Sequence, residues 1–584
     1  MPGDTDHAGS PVGVVVLWLC LAAMVYAIVI AVTGGFTVEV AGLRVASHNA
    51  LRPTLLALAL AITAAWLLRR DAHVRLAFVD AMVHRHGLAA TVTMAGSIAA
   101  ACFVFGVHIA FGADPSGYLS QARLWRAGEL RVAIPVALEV DVVDPVAFTP
   151  LGYRPAATRG VTVPSYPPGL PLQFALVAAI AGERAQFAIP PLSAAGIIII
   201  AFLLGQRVGG DETALIAAAA SAASPMLLFQ AVQPMSDVPA TFWWFLAVLL
   251  LTYDAIPAAW FAGLAAGIAC VVRPNLFAMV PVLAILAAWW HGSIRPISRW
   301  MAFAMGPAIA AIAIAWVNYS WYGSVGTSGY GGVAQLFSID HLWPNLARYP
   351  RWAIMAQSVL VVVPLAAPFV IRRGWLAPRV SQLRAVRLAW AALLSAVALQ
   401  TFYLFYLVLD DWYQFRFLLP ALPWLLVMQA AVLAAMCRAL PTQLRSIAVV
   451  VIAVLITSWG IDRARGLGAF RLKDSEHRYL EVAGFARTLP TDAVFMTVHH
   501  SGSLPYYASA AVLRWDWLDS ANIDRVVSQL QGRGRRVYAV IDDFEEPQFR
   551  SRFAGTRTAA QLNTPVFSGG SRGGIASHVY LLTE

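Results

Sequence analysis

The fold is decided by residues 88–130, in which the apolar run LAATVTMAGSIAAACFVFGVHIAF (88–111) continues directly into GADPSGYLSQARLWRAGEL (112–130). The first segment is long enough to cross about 30 Å of hydrocarbon as a helix. The second begins with an acid, Asp114, and continues as an amphipathic stretch over 118–129. Together they predict a membrane helix that ends beside a polar segment at the membrane surface.

The rest of the chain is also rich in apolar residues and poor in charged ones. Of its 584 residues, 59% are hydrophobic and only 12% are charged, which is too little charge to cover the surface of a soluble protein of this size. Apolar runs of membrane-spanning length recur, and we predict an α-helical polytopic membrane protein with about thirteen spans. The predicted spans cover about 12–33, 53–69, 88–111, 187–205, 213–230, 240–254, 257–272, 275–290, 300–318, 353–371, 388–409, 417–437 and 446–461.

The net charge of +10 comes almost entirely from arginine. Fourteen arginines of the short loops fall on one side of the predicted membrane and six on the other, which orients the first side toward the cytoplasm. No basic face with interleaved aromatic residues is visible, and this argues against a nucleic-acid partner. The orientation places the long loop 112–186 and the chain after the last span outside the cytoplasm, in a multi-pass protein of the cell membrane.

Two regions depart from the pattern of spans. Residues 167–182 are apolar but short and begin with two prolines. A full span there would invert every later loop, so we predict a juxtamembrane or re-entrant helix. Residues 462–584 contain the strand patterns AVFMTVHH, RRVYAVIDD and SHVYLLTE around the helical pattern IDRVVSQLQGRG, which predict a small extracytoplasmic α/β domain. The pair His499 and His500 invites a metal hypothesis, but without a further ligand at suitable spacing it favours a pair at a strand end.

Two acids stand at predicted helix starts on the outer side of the membrane. They are Asp114 and Asp237, the latter in QPMSDVPATFWW (233–244). A partly desolvated carboxylate at this depth could abstract a proton. Taken singly, each acid is better explained as an N-cap. Their shared side, in loops that could converge, favours a common site.

Further polar groups fall on the same side. Arg273 lies between two apolar runs, where it either pairs with a nearby carboxylate while snorkelling or binds phosphate oxygens. The segment NYSWYGSVGTSGYGG (318–332), which contains Tyr330, suits contacts with a sugar or a prenyl phosphate, or is an ordinary interfacial loop. Arg416 in DDWYQFRFLLP (410–420) lies near two acids, and a local salt bridge is the alternative.

The order of these features resembles a known family. Asp114 and its amphipathic helix are followed by YPPGLPLQF (166–174), the acid in QPMSDVPATFW, GLAAGIACVVRPN (263–275), NYSWYGS (318–324) and RFLLPALPWLL (416–426). Over about 88–437 the chain resembles polyprenyl-phosphate-sugar-dependent glycosyltransferases of the GT-C superfamily, such as protein O-mannosyltransferases and lipid A aminoarabinose transferases. Residues 1–87 then hold two additional N-terminal spans, and 88–461 form the GT-C-like membrane core.

The resemblance implies inverting transfer of a sugar from a polyprenyl-phosphate donor to a hydroxyl of a lipid, glycan or protein. It implies that Asp114 is the general base, that Arg273 neutralises the leaving phosphate and that Asp237 positions the acceptor or binds sugar hydroxyls. Pro115 stands where many relatives carry a second acid, so the requirement for a divalent cation stays open. The candidate substrate-binding residues are Tyr118, Arg123, Tyr166, Asp237, Arg273, Tyr330 and Arg416.

A transporter or lipid-carrier flippase is the rival function, and a catalytically inactive scaffold is a third. A transporter should carry ionisable residues near the membrane midplane and broken helices in two related halves. The sequence shows neither pattern, and its polar set is one-sided. We therefore expect a membrane glycosyltransferase whose partners are a lipid-linked donor, an acceptor and membrane lipids.

Overall fold

The computed structural model describes residues 11–33, 36–40, 43–47, 51–68, 83–290, 296–570 and 574–583. The apolar runs form helices that pack into one bundle. Four arginines used to predict the orientation, Arg69, Arg70, Arg75 and Arg295, lie outside the described residues.

The N-terminal helices pack against the last helix of the membrane bundle. Helices Pro11–Thr33 and Leu51–Leu68 are joined by an antiparallel hairpin, Phe36–Val40 with Leu43–Ser47. Their small apolar side chains form a separate core with the Thr442–Gly466 helix. The two predicted additional helices are therefore present and contact the last helix of the bundle.

The central bundle contains most of the remaining long helices. Its members are Gly87–Val104, Ile189–Gly209, Asp211–Ala222, Pro225–Ala231, Asp237–Leu251, Ile256–Val272, Val280–Trp289, Pro296–Tyr322, Ala367–Arg372, Gln382–Leu404, Leu422–Cys437 and Thr442–Gly466. Small residues let neighbouring helices approach closely, as is typical of membrane helix pairs. A Cβ on Gly306 would overlap the backbone of Gly263 on the facing helix.

Three predicted spans are broken rather than straight. Among the described residues, five helices are long and apolar enough to cross a membrane, or up to eight if each bent pair counts as one span. The predicted span 353–371 is wrong as a single helix, because the chain turns by 98° at Ser358, whose φ is +65°. The run 213–230 bends by 51° where Ser224 begins a new helix, and the run 417–437 turns by 85° between Leu418 and Leu422.

The segment after the first core helix is not a continuation of it. The helix predicted to reach residue 111 ends at Val104, and a loop leads to a separate helix, Asp114–Ala127. The predicted short helix after the Pro-Pro pair is present as Gly169–Ala181. Between them a small antiparallel sheet joins Val132–Ala133, Val161–Pro164 and Tyr153–Pro155, in that spatial order.

The predicted C-terminal strands are present. They lie in a five-stranded sheet with the spatial order Ala511–Leu513, Ala493–Met496, Arg536–Asp542, Ser577–Leu582 and Phe567–Gly569. The first three strands are parallel and the last two are antiparallel to their neighbours. Helices Arg478–Ala486, Ile523–Gly532 and Glu546–Arg552 cover the sheet.

The C-terminal sheet and the first long loop share one hydrophobic core. Phe148 and Val136 of the loop are buried together with Val494, Trp515 and Phe549 of the C-terminal region. The Thr442–Gly466 helix continues past the predicted boundary at 462, so the folded C-terminal part begins after Gly466. The loop and the C-terminal part therefore form one structural layer at the same end of the bundle.

Candidate active-site cavity

A cavity of about 900 Å³ opens at the end of the bundle where the long first loop lies. Five segments that the sequence predicts on one side of the membrane meet around it. These are the Asp114–Ala127 helix with Tyr166, the turn at Ser236–Asp237, the turn at 272–278, the loop 326–337 and the segment 401–417. The predicted convergence of the two acids is therefore present in the structure.

Asp114 is the first residue of its helix, and its side chain does not cap the helix. The N-cap position belongs to Ala113. The Asp114 carboxylate accepts a hydrogen bond from the Tyr166 hydroxyl at 2.7 Å and pairs with the Arg416 guanidinium at 3.1 Å. The carboxylate keeps 27% of its side-chain surface exposed, toward the cavity. It is thus held by two side chains while one face stays accessible.

Tyr166 reaches Asp114 because Gly117 leaves room for its ring. A Cβ on Gly117 would overlap the Tyr166 ring, so a larger residue on this face of the helix would displace the hydroxyl. Burial, followed by the neighbouring Asp114 carboxylate, raises the pKa of Tyr166 well above its ordinary value. The phenol therefore stays protonated and donates its hydrogen bond to the acid.

Asp237 and Arg273 form a second, more deeply buried ion pair. Asp237 begins the Asp237–Leu251 helix with 1% of its side chain exposed, and Arg273 ends the Ile256–Val272 helix with 11% exposed. This pairing is the one expected if Arg273 is a snorkelling arginine that pairs with a nearby carboxylate. Both residues nevertheless line the cavity. Gly169 of the Pro-Pro helix packs against the backbone of Val271 and Val272, which fixes where Arg273 leaves its helix.

Tyrosines join these two pairs. The Tyr118 hydroxyl lies 2.9 Å from the Ser236 hydroxyl, and its ring centroid lies 4.6 Å from that of Tyr166. Tyr330 packs edge-on against Tyr166 at 5.9 Å. Much of the remaining lining is apolar and includes Phe277, Ile314, Val317, Leu336, Phe337, Phe402, Phe405 and Leu409. The cavity therefore combines two ion pairs with a large hydrophobic surface.

Arg123 lies elsewhere, although the sequence predicts it as a substrate contact. Its guanidinium stacks 3.5 Å from the Tyr506 ring centroid and donates to the Tyr506 carbonyl oxygen. It is not among the described residues that line the cavity. Helical periodicity explains the difference, because Arg123 is five positions from Tyr118 and points away from it. Arg123 thus joins the helix of Asp114 to the C-terminal region.

Asn275 and Gln414 also line the cavity, although the sequence does not predict them as site residues. Each stands two residues from an arginine of the site, in RPN and QFR respectively. The closeness of Asn275 and Gln414 to Arg273 and Arg416 along the chain was the available indication that they belong to the site. Amides are common in turns, so the sequence alone gave no reason to prefer them.

The carboxylates at the cavity fit a divalent cation poorly. Asp114 and Asp237 each face a guanidinium, whereas a hard cation needs several oxygen ligands without a competing positive charge. One His/acid group among the described residues has ligand atoms within 4.8 Å of one another, namely His499, Asp542 and Glu545 in the C-terminal part.

Asp542 in that group is already engaged. It accepts hydrogen bonds from His500 and Ser577 and faces Arg478 at 3.4 Å. Burial alone would raise the pKa of Asp542, but His500, Arg478 and Ser577 hold it well below its usual range. Asp542 is therefore part of an ion-pair network with His500 and Arg478, and His499 pairs with Glu545. The two histidines lie in a short helical turn, His499–Ser501, after the strand Ala493–Met496 rather than at its end.

The fold of this polytopic helical bundle is similar to that of solved structures. The structure of ArnT from Cupriavidus metallidurans bound to undecaprenyl phosphate is similar, with a TM-score of 0.50 and 13% identity over 84% of this chain and 97% of that chain. An oligosaccharyltransferase from Archaeoglobus fulgidus, in complex with Zn and sulfate, gives a TM-score of 0.49 at 12% identity over 82% of this chain and 71% of that chain. No family model and no curated protein matches the sequence.

Proposed function

We propose that this protein is a glycosyltransferase that moves a sugar from a polyprenyl-phosphate donor to an acceptor hydroxyl at the extracytoplasmic membrane face. The observation that carries the proposal is the cavity itself, which is lined by two acid–arginine pairs and by many aromatic and aliphatic side chains. A prenyl phosphate likewise combines a charged head with a hydrocarbon tail. ArnT, which has a similar fold, is bound to undecaprenyl phosphate.

Asp114 is the general base in this proposal. Its carboxylate takes the proton of the acceptor hydroxyl while that oxygen forms a bond to the anomeric carbon. The bond from that carbon to the phosphate oxygen breaks, and the polyprenyl phosphate leaves with the electron pair. Because one displacement occurs from the side opposite the leaving group, the anomeric configuration inverts.

The two arginines have separate tasks. The leaving phosphate gains negative charge as the bond breaks, and guanidinium groups stabilise such charge by bidentate hydrogen bonds. Arg273 lines the cavity and pairs with Asp237 rather than with Asp114, so we assign the phosphate of the lipid donor to it. Arg416 orients the Asp114 carboxylate through their ion pair.

The proposal is tested with purified protein reconstituted in vesicles that contain undecaprenyl phosphate carrying labelled mannose or arabinose. Membranes from cells that lack the protein supply the acceptor. The expected result is loss of the sugar from the lipid and release of undecaprenyl phosphate, detected by mass. Movement of the intact glycolipid across the bilayer with no loss of sugar would instead identify a transporter.

A further inference from the structure

The helix that carries Asp114 is not a continuation of the first core helix. The core helix ends at Val104, and the loop 105–113 separates it from the helix Asp114–Ala127. A catalytic side chain must be held within about 0.5 Å of its productive position by the elements around it. Because a loop does not fix the direction of the helix that follows, other contacts must set the position of the Asp114 carboxylate.

Residues 499–508 of the C-terminal part, which we call the anchor segment, lie against this helix. A Cβ on Gly502 would lie only 2.7 Å from Cβ of Ser116, so the two backbones approach closely there. The Tyr507 hydroxyl accepts a hydrogen bond from the backbone N–H of Ala110 at 2.7 Å. One contact therefore precedes the proposed base along the chain, and the other follows it.

A third contact lies further along the same helix. The Arg123 guanidinium lies 3.5 Å from the centroid of the Tyr506 ring and donates to the Tyr506 carbonyl oxygen at 2.9 Å. No residue of the anchor segment is among the described residues that line the cavity. The anchor segment thus touches the helix of the base at three places without touching the cavity.

The anchor segment is itself fixed to the C-terminal sheet. His500 is fully buried, and its Nε2 atom lies 3.0 Å from Asp542 Oδ1 and 3.0 Å from the Ser577 hydroxyl. Asp542 ends one strand of the sheet and Ser577 begins the neighbouring strand. Leu504 is buried in the core under the same sheet. The position of the sheet is therefore passed on to the helix of the base.

We propose that the C-terminal part of this protein positions the general base, and that Gly502 and Tyr507 are the positioning residues through which it acts. The inference rests on the proposed function. It gives the C-terminal part a role in the rate of the displacement rather than in recognition of the donor or the acceptor. The φ of Gly502 is −83°, which any residue adopts, so only the close approach to Ser116 requires glycine there.

The test measures kcat and KM of the full-length protein, reconstituted with undecaprenyl phosphate carrying labelled mannose or arabinose and with acceptor membranes. In Gly502→Ala the new methyl group must push the helix away from the anchor segment. Because a displacement of about 1 Å can cost about 100-fold in rate, kcat should fall by about 10- to 100-fold. KM for the donor and the half-saturating amount of acceptor membranes should not change.

Gly484→Ala is the matched control. Gly484 lies in the helix Arg478–Ala486 of the same part of the chain, where a Cβ would meet no atom within 4 Å. This variant should keep the kcat and KM of the wild type. Tyr507→Phe keeps the ring but removes the hydrogen bond from Ala110, so it should also lower kcat without changing KM. It carries the test if Gly502→Ala does not fold.

A second substitution separates displacement of the base from a general loss of stability. Ser116→Gly removes the Cβ that the methyl group of Gly502→Ala would meet, and the Ser116 hydroxyl has no hydrogen-bond partner among the described residues. Gly502→Ala combined with Ser116→Gly should therefore recover most of the lost rate. No recovery in the double variant would overturn the inference.

Two further results would overturn the inference and leave the proposed function standing. One is a wild-type kcat in both Gly502→Ala and Tyr507→Phe. The other is a raised KM for the donor or the acceptor with unchanged kcat, which would make the anchor segment part of a binding site. A wild type that releases no sugar would overturn the proposed function and the inference with it.

Discussion

At the scale of single residues, the cavity contains two carboxylates in different surroundings. Asp114 is held by Tyr166 and Arg416 and keeps an accessible face. Asp237 is almost fully buried against Arg273. A base needs access to the hydroxyl that it deprotonates, so the geometry favours Asp114 for this role and gives Asp237 a part in structure and binding.

Replacing Tyr166 by phenylalanine keeps the ring but removes the hydrogen bond to Asp114. We expect kcat to fall by roughly 10- to 100-fold, the range for loss of a hydrogen bond to a charged group, with little change in KM for the donor. Steady-state kinetics with the labelled glycolipid measure both constants. An unchanged kcat would show that Tyr166 does not position the base.

The Asp237–Arg273 pair should couple strongly in stability. Asp237→Asn and Arg273→Met each leave a buried charge alone, and each should lower the free energy of unfolding by about 3–5 kcal/mol. The double variant leaves neither charge and should be more stable than either single variant. Thermal unfolding in detergent tests this; additive losses in the double variant would contradict it.

At the scale of elements, the breaks in the apolar runs are what build the site. The hydropathy of a segment depends only on which residues it contains. It therefore predicts the spans 353–371 and 417–437 but not the turns at Ser358 and before Leu422. The second turn carries Gln414 and Arg416 into the cavity. The segments of the site could be predicted because their acids and arginines stand out in apolar surroundings, whereas the pairing partners depend on contacts between distant segments.

The loop 326–337 closes one wall of the cavity by backbone contact. A Cβ on Gly329 would overlap the Ser165 carbonyl, next to Tyr166, whereas a Cβ on Gly332 would meet no atom within 4 Å. Gly329→Ala should push the loop away and raise KM for the donor. Gly332→Ala should leave KM for the donor unchanged. Equal KM values for the two variants would contradict this role of the loop.

At the scale of the whole molecule, the C-terminal part is joined to the helix of the proposed base. Ala110 donates its backbone N–H to the Tyr507 hydroxyl at 2.7 Å, and a Cβ on Gly502 would lie 2.7 Å from Cβ of Ser116. The sequence predicted the strands of this part correctly from their local patterns. It could not predict that Phe148 of the first loop would enter the same core, because that contact joins residues far apart in the chain.

The orientation in the membrane predicts which surfaces an impermeant maleimide can label from outside the cell. Ser551→Cys on the C-terminal part should react, and Arg373→Cys at the opposite end of the bundle should not, although both positions are exposed. The four native cysteines are buried, so they give little background. Labelling of Arg373→Cys but not Ser551→Cys would reverse the orientation and place the cavity on the cytoplasmic side.

The most direct test of the central claim is the rate of sugar release from undecaprenyl phosphate by Asp114→Asn. Asparagine keeps the shape of the side chain but cannot take the proton, so the rate should fall by about 10²- to 10⁴-fold. Donor binding should persist, and Asp254→Asn, which lies beside Arg384 at the other end of the bundle, should retain full activity. A rate equal to that of the wild type would show that Asp114 is not the base.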